Sequence, residues 1–141
     1  MKLHILATLL ALISAPAAGK DLLDGPFRAQ VISVYDGDTF RVRVRIWLET
    51  DVTTNVRILG IDAPEMKGRC AEESRRAIEA RDRLAQLLAA GPVDLWNVTG
   101  DKYAGRVDAN VIAAGVDVAR RLIELGLARP YDGRARQGWC G

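Results

Sequence analysis

Residues 27–48, FRAQVISVYDGDTFRVRVRIWL, read as two strands joined by a tight turn. The first nine are rich in β-formers and stop at Asp36-Gly37, a strong turn pair. Beyond the turn, Phe40, Val42, Val44, Ile46 and Leu48 alternate with Arg41, Arg43, Arg45 and Trp47. A period of two over that length gives a strand with one buried face and one basic, wet face. A polar segment, residues 49–54, leads to a third strand over residues 55–61, apolar at nearly every position except Arg57 and ended by Pro64.

Helical periodicity follows. Ala77, Ala80, Leu84, Leu87 and Leu88 share one face, opposite Arg75, Arg76, Glu79, Arg81, Asp82 and Arg83, and Gly91-Pro92 is the stop. Residues 93–98 and 106–113 are short strands around a polar loop. Asp117 is placed to cap a short helix through Leu125, ended by Gly126, and residues 127–141 read as loop. Three strands, a helix, two strands and a helix give an α+β chain, for which a five-stranded OB-fold β-barrel with two packed helices is the economical architecture.

The 141 residues suit one domain. Residues 1–19 carry a short positive start at Lys2, an apolar run and Ala15-Pro16-Ala17, the pattern of a cleaved signal peptide, which leaves residues 20–141 as the domain. The apolar run is too short to span a bilayer. The expectation is a secreted or periplasmic monomer with no stable membrane association after cleavage. Sixteen arginines against four lysines suggest a bacterial source.

Removing Lys2 and His4 leaves 19 basic against 18 acidic residues, a charge of +1, and no histidine. Every imidazole-dependent mechanism is thereby excluded, including His-ligated zinc and Ser-His-Asp chemistry. The two cysteines, Cys70 and Cys140, are too few for an all-cysteine zinc site. Export favours a structural Cys70–Cys140 disulfide, with free thiols or intermolecular pairing as the other outcomes.

Carboxylates, arginines and hydroxyls remain. Asp36 and Asp38 flank a turn glycine, and Asp62 and Glu65 follow the third strand. Converging at one rim, they would repel unless a cation sat among them, and hard oxygen ligands favour Ca²⁺ or Mg²⁺. Taken singly, each motif also reads as an ordinary turn or a helix cap. Arg57, among Val56, Ile58 and Leu59, needs an anionic partner, either an internal carboxylate or a bound phosphate. The loop Asp101-Lys102-Tyr103-Ala104-Gly105 brings an aromatic and a cation ahead of Arg106. Two arginines and a carboxylate-held cation are what phosphoryl chemistry requires.

Four ordered segments, 34–40 (VYDGDTF), 56–65 (VRILGIDAPE), 101–106 (DKYAGR) and 126–129 (GLAR), closely resemble the staphylococcal nuclease (thermonuclease) family over residues 27 to 131. The resemblance implies an OB-barrel endonuclease, a hydrolase that uses Ca²⁺ to cut DNA and RNA phosphodiesters to 3′-phosphate products. Position by position, it assigns Asp38, Asp62 and the Ala63 carbonyl to the metal and Glu65 to general-base activation of water. Arg57 and Arg106 would stabilise the transition state, while Lys102, Tyr103 and Tyr131 would line the nucleotide pocket. Ala104 is an extra residue relative to the family pattern, the stretch from Asp38 to Arg57 is longer, and the family's last helix is missing after Tyr131. The alternative is a non-catalytic OB-fold module that binds nucleic acid or another anion, which would have no use for Glu65 beside a metal site.

Overall fold

The computed structural model describes residues 20–141, and the signal peptide expected at 1–19 lies outside the described residues. The elements are β1 (Leu22–Leu23), β2 (Phe27–Val34), β3 (Thr39–Trp47), β4 (Thr50–Ile58), β5 (Ile61–Asp62), α1 (Ala71–Ala89), β6 (Val93–Gly100), β7 (Arg106–Ala113), β8 (Val116–Asp117), α2 (Val118–Glu124) and β9 (Arg129–Pro130). Five of them close a ring. β2 pairs with β3 and β6, β3 with β4, and β6 with β7, all antiparallel, and the parallel pair β4–β7 completes the circuit. This is the expected OB-type barrel, and closure removes the long unpaired edges that a five-stranded open sheet would carry.

Phe40, Val42 and Val44 of β3 point inward with Val56 and Ile58 of β4, Leu95 of β6 and Val111 of β7. Leu84 and Leu88 of α1 and Val118 and Leu122 of α2 pack onto the same core. Each large apolar side chain buried there contributes about 1.5–3 kcal/mol. The first turn of α1 carries Glu72 and Glu73, whose charge suits the positive end of the helix dipole. Asp117 caps α2 as expected, accepting the Arg120 N–H at 3.1 Å.

The structure corrects three expectations. The third strand is Thr50–Ile58, not residues 55–61. Its first half is polar because both faces of a hairpin extending beyond the core are wet, so no apolar alternation announces it. The chain then turns at Leu59-Gly60, and Ile61-Asp62 forms a separate two-residue ribbon with Arg129-Pro130, inside the segment read as loop. Ile46 and Leu48, expected on the buried face of β3, are exposed. Beyond Val44 that strand has lost β2 as its neighbour, and Trp47 and Leu48 stand out at 74% and 82% exposure.

Gly37 serves the packing of α1. A Cβ there would lie 2.6 Å from Ala80 Cβ and 2.9 Å from Ala63 Cβ, so a hydrogen is what lets the helix sit against the turn that carries Asp38. Among the described residues, no helix is long and apolar enough to cross a membrane.

Candidate active site at the barrel rim

The β3–β4 register sets Thr39 opposite Arg57, and the Ile58 N–H donates to the Asp38 carbonyl at 2.8 Å. Asp38 therefore lies beside Arg57, its Oδ2 3.6 Å from Arg57 Nη2. The Asp38 carboxylate also accepts the Ala63 N–H at 3.1 Å and the Thr39 hydroxyl at 2.9 Å. Arg57 donates to the Ile61 carbonyl at 3.2 Å and lies 5.7 Å from the Tyr131 ring centroid. Arg57, between buried Val56 and Ile58, thus has an internal carboxylate partner and still lines an open cleft. Burial and the neighbouring charge of Asp38 push the Asp36 carboxyl up to about 7.

Across the rim, Asp101 holds Arg106. Its Oδ2 accepts the Arg106 Nε–H at 2.8 Å, and its Oδ1 accepts the Tyr103 N–H at 2.8 Å. Burial works to raise the pKa of Asp101, but these bonds outweigh it and hold the carboxyl at about 2. Tyr103 stacks under the Arg106 guanidinium at 4.8 Å, with Lys102 Nζ 5.1 Å from the same ring.

Asp38 and Asp62 are buried, 6% and 3% exposed, whereas Glu65 faces solvent. Glu65 is steadied through its backbone. Buried Glu73, at the start of α1, accepts the Glu65 N–H at 3.3 Å and the Arg69 N–H at 2.9 Å, which fixes the loop between β5 and the helix. Asp62 Oδ2 accepts the Trp139 indole N–H at 3.3 Å.

Arg136 was not singled out from the sequence. Its guanidinium pairs with Glu65, lies 2.6 Å from Asp62 Oδ1 and donates to the Ala63 carbonyl at 3.4 Å. Burial acts against its charge, but Glu65 and Asp62 raise its pKa above the usual arginine value. One signal for it was in the chain: Arg136 precedes Cys140 by four residues and Glu65 precedes Cys70 by five. Cys70 and Cys140 are bonded, so the two segments meet.

A cleft of about 680 Å³ gathers Asp38, Arg57, Ala63, Glu65, Lys102, Tyr103, Arg106 and Tyr131 on one wall system, together with Arg136. Asp62 is the expected site residue that does not line it, opening instead into an adjoining hollow of about 390 Å³. Among the described residues, no three Asp, Glu, His or Cys side chains close into a ready-made chelate. The donors at this corner nevertheless fit a hard divalent cation. They are two buried carboxylates and a carbonyl, and Asp62 Oδ1 is a buried carboxylate oxygen whose close partner is the Arg136 guanidinium. A positive charge already lies there, on Arg136.

The closed mixed barrel, with arginines and carboxylates lining a cleft at one rim, defines an OB-fold protein with a charged cleft at the barrel end. The family model of the staphylococcal nuclease homologues matches residues 55–138, more than half of the chain, and the protein belongs to that family. Arg57, Asp62, Glu65, Arg106 and Arg136 fall within the matched span, and Asp38 precedes it. No curated protein sequence matches the chain.

Proposed function

We propose that the protein is an exported Ca²⁺-dependent nuclease that hydrolyses DNA and RNA phosphodiesters to 3′-phosphate and 5′-hydroxyl ends. The observation that carries this reading is the presence of Arg57, Arg106 and Glu65 on the walls of one cleft, in a chain of the nuclease family. Arg57 and Arg106 offer forked donors to the phosphate oxygens and stabilise the charge that builds on them as the water oxygen bonds to phosphorus. Glu65 accepts the proton of that water, and the bond from phosphorus to the 5′-oxygen breaks as the 5′-oxygen takes up a proton. Asp38, Asp62 and the Ala63 carbonyl hold the Ca²⁺. Its chemistry is to neutralise phosphate charge and to favour ionisation of water. Lys102, Tyr103 and Tyr131 seat the nucleotide beside the arginines, with the tyrosine rings available for stacking on a base.

Export is part of the same proposal. The leader-like residues 1–19 and the single disulfide both suit an oxidising compartment, where the protein acts as a monomer free of the membrane. The test is digestion of single-stranded DNA and RNA by the purified 20–141 protein, with Ca²⁺ and with a chelator, alongside Glu65→Gln. The expected result is Ca²⁺-dependent cleavage that falls by roughly 10²-fold or more in the variant. Binding without cleavage by the wild type would replace the enzyme with an OB-fold binding module. Cleavage unchanged in Glu65→Gln would remove Glu65 as the base.

A further inference from the structure

The last eleven residues form a strap that starts after β9 and is fastened on both sides of Arg136. Upstream, the Tyr131 hydroxyl donates to the Arg134 carbonyl at 2.7 Å, and the Arg134 N–H closes a turn on Asp132 at 3.0 Å. Downstream, the Trp139 side chain is buried, with its indole on Asp62 and its face against the Arg129 guanidinium at 3.8 Å. Arg129 also donates to the Gly138 carbonyl at 2.7 Å, and Cys140 is bonded to Cys70 at the head of α1. The position of Arg136 is therefore imposed by the fold around it. Its own side chain is 41% exposed, so its guanidinium can leave without opening the apolar core.

The three groups it touches are Asp62 Oδ1, the Ala63 carbonyl and Glu65. In the function proposed above, on which this inference rests, two of these are metal donors and the third is the base. A guanidinium and a divalent ion cannot both satisfy the same carboxylate oxygen, and a Glu65 oxygen bonded to a guanidinium is not free to bond a water. We infer that Arg136 is a tethered internal cation that occupies the divalent-cation position and holds Glu65. A metal ion enters the site by displacing it. The residue thereby sets the cation concentration at which the site becomes competent, and it balances the charge of the buried Asp62 carboxylate when no metal is present.

Calorimetric titration of Ca²⁺ into the wild type, Arg136→Gln and Arg136→Lys tests this without reference to cleavage. Arg136→Gln is expected to bind Ca²⁺ at least about tenfold more tightly than the wild type, the worth of one charge-assisted contact no longer in competition. Arg136→Lys, which keeps a cation but loses the fork, should fall between them. Equal or weaker binding by Arg136→Gln overturns the inference while leaving a Ca²⁺ site in place. Absence of Ca²⁺ binding in all three proteins overturns both the inference and the Ca²⁺-dependent reading of the site. A second measurement needs only the wild type. Saturating Ca²⁺ should accelerate backbone hydrogen exchange in residues 131–138, because the strap gives up its Arg136 anchor. Exchange that slows or stays the same there contradicts displacement.

Discussion

Asp101 and Gly37 shape this rim although neither is one of the groups proposed to react. Asp101 takes up the Nε–H of Arg106, which determines how the guanidinium is presented to the cleft. Because its folded pKa of about 2 lies below the ordinary value of 3.8, the unfolded chain binds more protons between those values. The stability it contributes is present above about pH 4 and is lost as pH falls through about 2. Asp101→Asn should therefore be less stable than wild type in urea unfolding at pH 7, and the gap should close near pH 2. It should also weaken cleavage by loosening Arg106. Gly37→Ala drives a methyl into Ala80 and Ala63, with an expected cost of about 1–3 kcal/mol by denaturant unfolding. Arg57 was legible as a site residue because its neighbours in sequence are apolar. Arg136 was not, because its neighbours Ala135 and Gln137 are unremarkable and its partners lie about seventy positions away.

At the scale of elements, one strand has two kinds of surface. The inner residues of β3 up to Val44 are core, so Phe40→Ala should cost about 3–5 kcal/mol in equilibrium unfolding. The tip of the β3–β4 hairpin lies beyond the barrel, and Trp47→Ser should change stability by no more than about 0.5 kcal/mol in the same measurement. Alternation along 40–48 is equally regular across both parts. Sequence periodicity reports which residues share a face, but whether that face lies in the barrel depends on where the β2–β3 pairing ends, at Ala29 and Val44. The apolar stripe of helix α1 and its Gly-Pro stop were readable because both are local signals, whereas its start at Ala71 was not. Glu73, on that same helix, hid its second task. Its bonds to the Glu65 and Arg69 amides depend on how the loop folds back over the helix start.

For the whole molecule, the Cys70–Cys140 bond joins the head of α1 to the C-terminal strap, closing a span of 70 positions. Reduction, or Cys140→Ser, should lower stability by about 2–4 kcal/mol in urea unfolding. It should also raise hydrogen exchange in residues 131–139 more than in the barrel, whose closure does not involve the strap. The sequence by itself determined the order of the barrel strands and helices, the Asp117 cap of α2 and eight of the residues that line the cleft. All of these follow from short-range period, turn chemistry, residue inventory or ordered motifs. Only the tertiary structure decided that β4 starts at Thr50, that β5 and β9 pair, that Asp62 opens into the adjoining hollow, and that Arg136 lies on Asp62, Ala63 and Glu65. Each of those depends on groups brought together from distant parts of the chain. The physical reason is that such contacts form when the ring closes and the disulfide pins the strap, and no local pattern of polarity encodes their partner.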